Sequence, residues 1–183
     1  MLNLKFFGTG GQGVVTAAKI FSTAVSLYED KYAKTVPAYG HERRNAPVFT
    51  DVIMADEPIL VNSFVYHPDL VLVMDASIID KNVDPGAGKH DGTILVLNSE
   101  NPETLERYKQ YGFKEFYYVD GTGIAVETTG VGIPNGSMLG ALAATGIVKI
   151  ESIEKAILDF FSKKAGEKNA EAARRAYARI KKM

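Results

Sequence analysis

The sequence predicts a three-layer α/β fold, built on a mainly parallel sheet with helices on both faces. Three observations carry this prediction. Residues 70–74 are apolar at successive positions, as a strand covered by helices on both sides is, and 93–97 resumes as another buried strand. Stretches with apolar residues at helical spacing alternate with these runs. The first strand ends in a glycine turn that leads directly into the first helix.

In chain order, residues 2–7 form a short apolar strand that stops at Gly8. Residues 12–28 read as a helix, with Val14, Val15, Ala18, Phe21 and Val25 at helical spacing. A second strand falls within 31–37, followed by a polar stretch, and Pro47 opens a branched and aromatic strand over 48–54. The strand at 70–74 belongs in the middle of the sheet. Residues 81–92, with glycines, a proline and charges, read as a loop before the buried strand at 93–97, and 116–119 is one further strand. Helices take the remainder: a short one over 124–129, one from Asn135 through Leu142 that ends at Gly146, one over 151–164 and one over 167–182. No repeat, low-complexity tract or linker interrupts the chain, so residues 1–183 are expected to form a single domain.

Composition narrows the function. The net charge of −1, from 21 basic and 22 acidic side chains, provides no one-signed field for nucleic acid or an anionic membrane. With no cysteine, the chain has no thiolate nucleophile and no ligands for a Cys-bound zinc or iron–sulfur centre. The start lacks a secretory pattern and no apolar run approaches the ~20 residues of a membrane span. The expectation is a cytoplasmic, soluble protein.

Gly8-Thr9-Gly10-Gly11-Gln12-Gly13 has G-x-G-x-x-G spacing, after a strand and at the opening of a helix. This Rossmann-like turn brings backbone close to a ligand, the free N–H groups of the helix start favour an anion, and Gln12 adds a donor. Binding a dinucleotide would also require an acidic residue at the end of the second strand. None is there: Glu29 and Asp30 precede that strand, which ends Thr35-Val36-Pro37. The turn therefore either meets an anionic group or serves only as a tight strand-to-helix join.

Other conspicuous residues have plain readings. His67 and His90 sit at no ligand spacing and belong to loops. Asp75 follows a buried strand, at a carboxyl strand end where α/β proteins place ligands, and is expected instead to cap the turn after it. Asn135 or Ser137 can cap the helix that begins there. Arg174, Arg175, Arg179, Lys181 and Lys182 form the wet face of the last helix. His41, Glu42, Arg43 and Arg44 make a compact charged turn, which is either a solvated loop or a guanidinium-rich contact.

Three segments together carry a resemblance. They are residues 8–14, then Tyr39-Gly40-His41-Glu42-Arg43-Arg44-Asn45-Ala46-Pro47-Val48, and Asn135-Gly136-Ser137-Met138-Leu139-Gly140-Ala141-Leu142. In order and spacing the chain resembles the gamma subunit of 2-oxoacid:ferredoxin oxidoreductases, the enzymes of pyruvate, 2-oxoisovalerate and 2-oxoglutarate. Asn45 stands where that family usually has glycine, and asparagine is the residue that best replaces glycine in left-handed backbone. The resemblance implies a complex with alpha, beta and delta subunits that decarboxylates a 2-oxoacid and passes electrons to ferredoxin. It implies thiamine diphosphate, magnesium, iron–sulfur clusters and coenzyme A in that complex, none bound wholly by this chain; His90-Asp91-Gly92 matches a thiamine signature only in part. It implies no catalytic and no metal-ligating residue here, a coenzyme A-facing role for Gly8, Thr9, Gly10, Gly11, Gln12 and Gly13, and partner contacts at His41, Glu42, Arg43, Arg44 and Asn135. Two other functions stay open at this point, a stand-alone nucleotide-binding oxidoreductase and a metabolite-sensing module.

Overall fold

A computed structural model describes residues 1–38 and 45–183. Among the described residues seven strands form one sheet: β1 (Leu2–Thr9), β2 (Tyr32–Pro37), β3 (Pro47–Ala55), β4 (Leu70–Val73), β5 (Ile94–Asn98), β6 (Glu115–Val119) and β7 (Lys181–Lys182). Their order is β2-β3-β1-β4-β5-β6-β7, which puts β4 at the centre, as its uninterrupted apolar sequence demands. The helices are α1 (Val14–Tyr28), α2 (Pro102–Lys109), α3 (Gly121–Thr129), α4 (Asn135–Ala143), α5 (Ile150–Phe160) and α6 (Lys163–Arg179).

The sheet is mixed. Its core, β1-β4-β5-β6, is parallel, whereas β3 runs antiparallel to both β1 and β2, and β7 antiparallel to β6. The connection from Pro37 to Pro47 is too short for a parallel crossover, which needs about a dozen residues or more. A hairpin is what remains.

Alternation along the strands builds two cores. Leu4 and Phe6 of β1, with Leu70 and Leu72 of β4, face the layer of α1, α3, α4, α5 and α6. Phe7, Val71 and Val73 face the opposite layer, where Leu105 and Tyr108 of α2 and Ile78 pack. In α1, Val14, Ala17, Ala18, Phe21, Ala24 and Val25 make one buried stripe, and Phe21 meets Phe6 edge-on with centroids 6.0 Å apart. Each such large apolar side chain contributes about 1.5–3 kcal/mol by burial. Helix α4 is buried along its whole length, and Gly140 lets it approach α6 so closely that a β-carbon there would overlap the backbone of Ala173.

Two elements depart from the sequence expectation. Helix α2 was not expected, because Leu105 and Tyr108 are its only buried positions; its start is nevertheless written in Asn101, which accepts from Thr104 N at 3.0 Å, and in Pro102. The final helix begins earlier and stops earlier than its periodicity suggests. Ile180 leaves helical geometry, and Lys181 and Lys182 pair with β6. The basic face of α6 is exposed and laced with ion pairs, Arg174 to Glu154 and Glu171, and Arg175 and Arg179 to Glu127.

On the second face, cross-strand neighbours Lys5 and Asp51 form an ion pair at 3.4 Å, with the Asp51 side chain fully buried. Asp51 also accepts from Val65 N at 2.8 Å, and Lys5 donates to Val65 O at 2.9 Å. The extended segment preceding β4 is thereby fastened across the sheet.

Candidate functional site

The glycine turn joins β1 to α1 as the sequence requires. Gly10 N donates to Ala46 O at 2.9 Å and Asn45 N to Gly10 O at 3.3 Å, so the approach to β3 is stitched onto the turn. Asn45 has φ +66°, the left-handed backbone its asparagine identity allows, and Lys81 donates to its carbonyl at 2.7 Å. Helix α1 opens at Gly13, left-handed at φ +75°, with no side chain among the described residues capping it. Its first-turn N–H groups have no intrahelical acceptor and so present a positive helix end. They border a pocket of about 320 Å³ lined by Thr9, Gly10, Gly11, Gly13, Val14 and Thr16, with Val48 on the β3 side.

Beneath the turn lies a feature that the sequence reading missed. Asp75, just beyond β4, accepts through Oδ1 from Ser77 N at 2.9 Å and Ser77 Oγ at 2.7 Å, which caps the 3₁₀ turn Ala76–Lys81 as expected. Its Oδ2 accepts from Thr9 Oγ1 at 2.8 Å and from Gln12 Nε2 at 3.2 Å. Burial pushes the Asp75 carboxyl up, but the hydrogen bonds from Ser77 and Thr9, with the charge of Lys81, outweigh it and hold the group below the usual carboxylate value. Gln12 is therefore turned inward, and its Oε1 is buried with no partner among the described residues. A carboxylate at the end of a central strand, between two threonine-class or amide donors in the preceding turn, was the available signal.

Asn135 is 6% exposed and stands against the turn: a β-carbon on Gly13 would lie 2.9 Å from Asn135 Nδ2. Its Oδ1 accepts from Gly136 N at 2.8 Å, while Nδ2 donates to no acceptor among the described residues. Ser137 instead reaches Gly121 O and Pro134 O. The glycine turn and the start of α4 thus converge. His41, Glu42, Arg43 and Arg44 lie outside the described residues. His90 Nε2 faces Asp69 Oδ1 at 3.0 Å and His67 Nδ1 faces Gly88 O at 3.2 Å, both in loops far along the chain from the turn.

Topology bears on the ligand. In a dinucleotide fold the strand after the first helix lies beside the first strand and brings its terminal carboxylate to the ribose. Here β3 is inserted between β1 and β2, so the end of β2 is displaced by a further strand spacing, about 4.8 Å. A larger crevice of about 420 Å³ near Asp120 is a poorer candidate. Its charges are already matched, Lys181 to Glu100 and Arg179 to Glu127, both at 3.2 Å, and Asp120 caps α3.

Fold and site together define an α/β protein whose first strand joins its first helix through a glycine turn that borders a pocket. A profile of the pyruvate ferredoxin/flavodoxin oxidoreductases matches residues 3–179. The chain is 47% identical to the pyruvate/ketoisovalerate oxidoreductases common subunit gamma of Thermococcus litoralis, over 97% of this chain and 96% of that one. The crystal structure of pyruvate oxidoreductase subunit PORC from Thermotoga maritima superposes with a TM-score of 0.83 at 34% identity, covering 99% of this chain and 97% of that one. The 2-oxoglutarate:ferredoxin oxidoreductase of Magnetococcus marinus, solved with 2-oxoglutarate, coenzyme A and succinyl-CoA bound, shares the fold. There the TM-score is 0.73 at 19% identity, and 97% of this chain matches 30% of the larger one. The chain belongs to the pyruvate ferredoxin/flavodoxin oxidoreductase family, as a gamma-type subunit of a multi-subunit oxidoreductase. No helix among the described residues is long and apolar enough to cross a membrane.

Proposed function

We propose that this gamma subunit lends its glycine turn to a phosphate of coenzyme A, within a cytoplasmic complex that oxidatively decarboxylates a 2-oxoacid and reduces ferredoxin. The observation that carries the reading is the pocket bordered by the uncapped first turn of α1, where a phosphate meets backbone N–H donors and the positive helix end. Thr9 and Gly13 shape that pocket, while Gln12 and Asp75 set the turn from behind. Coenzyme A supplies the thiol that takes up the acyl group; this chain's part is to bind and orient its anionic end. Residues 1–183 act as one gamma-type domain in this reading, because a single sheet and the family match both run through nearly all of them.

Thiamine diphosphate, magnesium and the iron–sulfur clusters are assigned to alpha, beta and delta partners, in keeping with a chain that has no cysteine. The Thermococcus relative is named as common to pyruvate and ketoisovalerate enzymes, which supports placing substrate choice on the other chains. The displaced end of β2 argues against a stand-alone nicotinamide enzyme.

Thr16→Glu tests the proposal. A carboxylate in the first turn of α1 suits the helix dipole, so folding is kept, yet it repels a phosphate from the pocket. The KM for coenzyme A of the assembled complex should rise about tenfold, equivalent to ~1.4 kcal/mol, with kcat and the KM for the oxoacid held. An unchanged KM for coenzyme A would remove the glycine turn from its path.

A further inference from the structure

A third cleft, of about 260 Å³, opens between the loop that follows α3 and the corner joining α5 to α6. Its walls are apolar: Val131, Ile133, Phe161 and Ala165, with Asn135 on the side of the glycine turn. Val131 is 53% exposed and Ile133 39%. Phe160, 48% exposed, packs edge-on to Phe161 and extends the apolar surface beyond the cleft.

Lys168 lines the cleft, and the helix start beside it is mostly basic. Lys163, Lys164 and Lys168 stand exposed on the first turns of α6, and none pairs with a carboxylate among the described residues. Glu167 offsets part of this charge, and Asp159 accepts from the hydroxyl of Tyr28. Helix α6 has no side-chain cap, so its dipole adds to the positive rim. The lysines sit at the helix end where acidic residues would be intrinsically favoured, and so this charge costs the isolated chain stability.

We propose that this cleft docks another subunit of the oxidoreductase, through an apolar side chain flanked by acidic residues. Apolar walls with a cationic rim complement such a segment in shape and sign. A second copy of this chain fits worse, because a two-fold contact would bring the lysines of the two copies against each other. Asn135 lines the cleft and touches Gly13, so the docked segment lies one side chain from the glycine turn and braces it. The inference rests on the chain being a subunit of a complex and adds where it is held.

The test uses the complex assembled by co-expression. A photo-crosslinking benzoylphenylalanine at position 131 should couple to a different subunit, at a peptide with Asp or Glu next to an apolar residue. Lys163→Glu combined with Lys168→Glu should weaken retention of this subunit in the complex at least tenfold at low salt, with less effect at high salt, while the isolated chain keeps or gains melting temperature. Crosslinks only to a second copy, or none in a complex that still retains this chain, would overturn the docking site and leave the subunit reading intact. Failure of the unaltered chain to co-purify with any partner would overturn both.

Discussion

Asn135 Nδ2 lies where a side chain on Gly13 would have to go, 2.9 Å from the position of its β-carbon. The opening of α4 thereby fixes which residue can open α1. Gly13→Ala meets two penalties, left-handed backbone at φ +75° and this collision, and should cost about 2–3 kcal/mol. A double-mutant cycle with Asn135→Ala separates them. In chemical denaturation the pair should recover about 1 kcal/mol, with the remainder being backbone strain.

Asp75→Asn places an amide where four donors converge. Losing its charge-assisted bonds should cost about 1–2 kcal/mol in urea unfolding at neutral pH. Because the folded carboxyl sits below its ordinary value, its stabilising contribution is present above the unfolded value of 3.8 and is lost as pH falls through the folded one. The stability difference between the two proteins should shrink steadily on acidification below about pH 4.

Asp51 has the opposite sign. Burial raises its carboxyl above 3.8, with the Val65 bond and the Lys5 charge opposing the shift only in part. The folded state then holds the proton more tightly than the unfolded one, so ionisation costs stability as pH climbs from 3.8 through the raised value. Asp51→Asn should flatten that part of the stability curve. Asp51→Ala leaves Val65 N without an acceptor and Lys5, at 18% exposure, without a counter-charge; about 3 kcal/mol should be lost, discounted for the partial solvation of Lys5.

Gly140→Ala sets a methyl against the Ala173 carbonyl at the crossing of α4 and α6. Neither backbone can yield cheaply, so the melting temperature should fall by an amount matching about 2–3 kcal/mol or more. Gly146→Ala is the comparison, since nothing lies within 4 Å of that position and only its φ of +83° is strained. A similar loss in both would show that the crossing is looser than described.

The sequence makes elements legible where one physical requirement dominates. Residues 70–74 are apolar on both faces, and no place but the sheet centre satisfies them; α1 and α4 follow from unbroken apolar stripes. The hairpin of β2 and β3 is less visible, because strand direction depends on where a connection leads and not on side-chain pattern. Helix α2 escapes for want of a long stripe, its start resting on Asn101 and Pro102 alone. At the site, the glycine spacing marks the turn itself. The bonds from Thr9 and Gln12 to Asp75 span 66 and 63 positions, and only the completed sheet brings them together.

The position of β3 has a consequence for engineering. Converting many enzymes between redox coenzymes takes a handful of point changes around a shared ribose site. Grafting an acidic residue onto the end of β2 would not do so here, since an intervening strand keeps it out of reach of any adenosine seated above β1. What this scaffold refuses is refused by its wiring, and only deleting or rerouting a hairpin would lift the barrier.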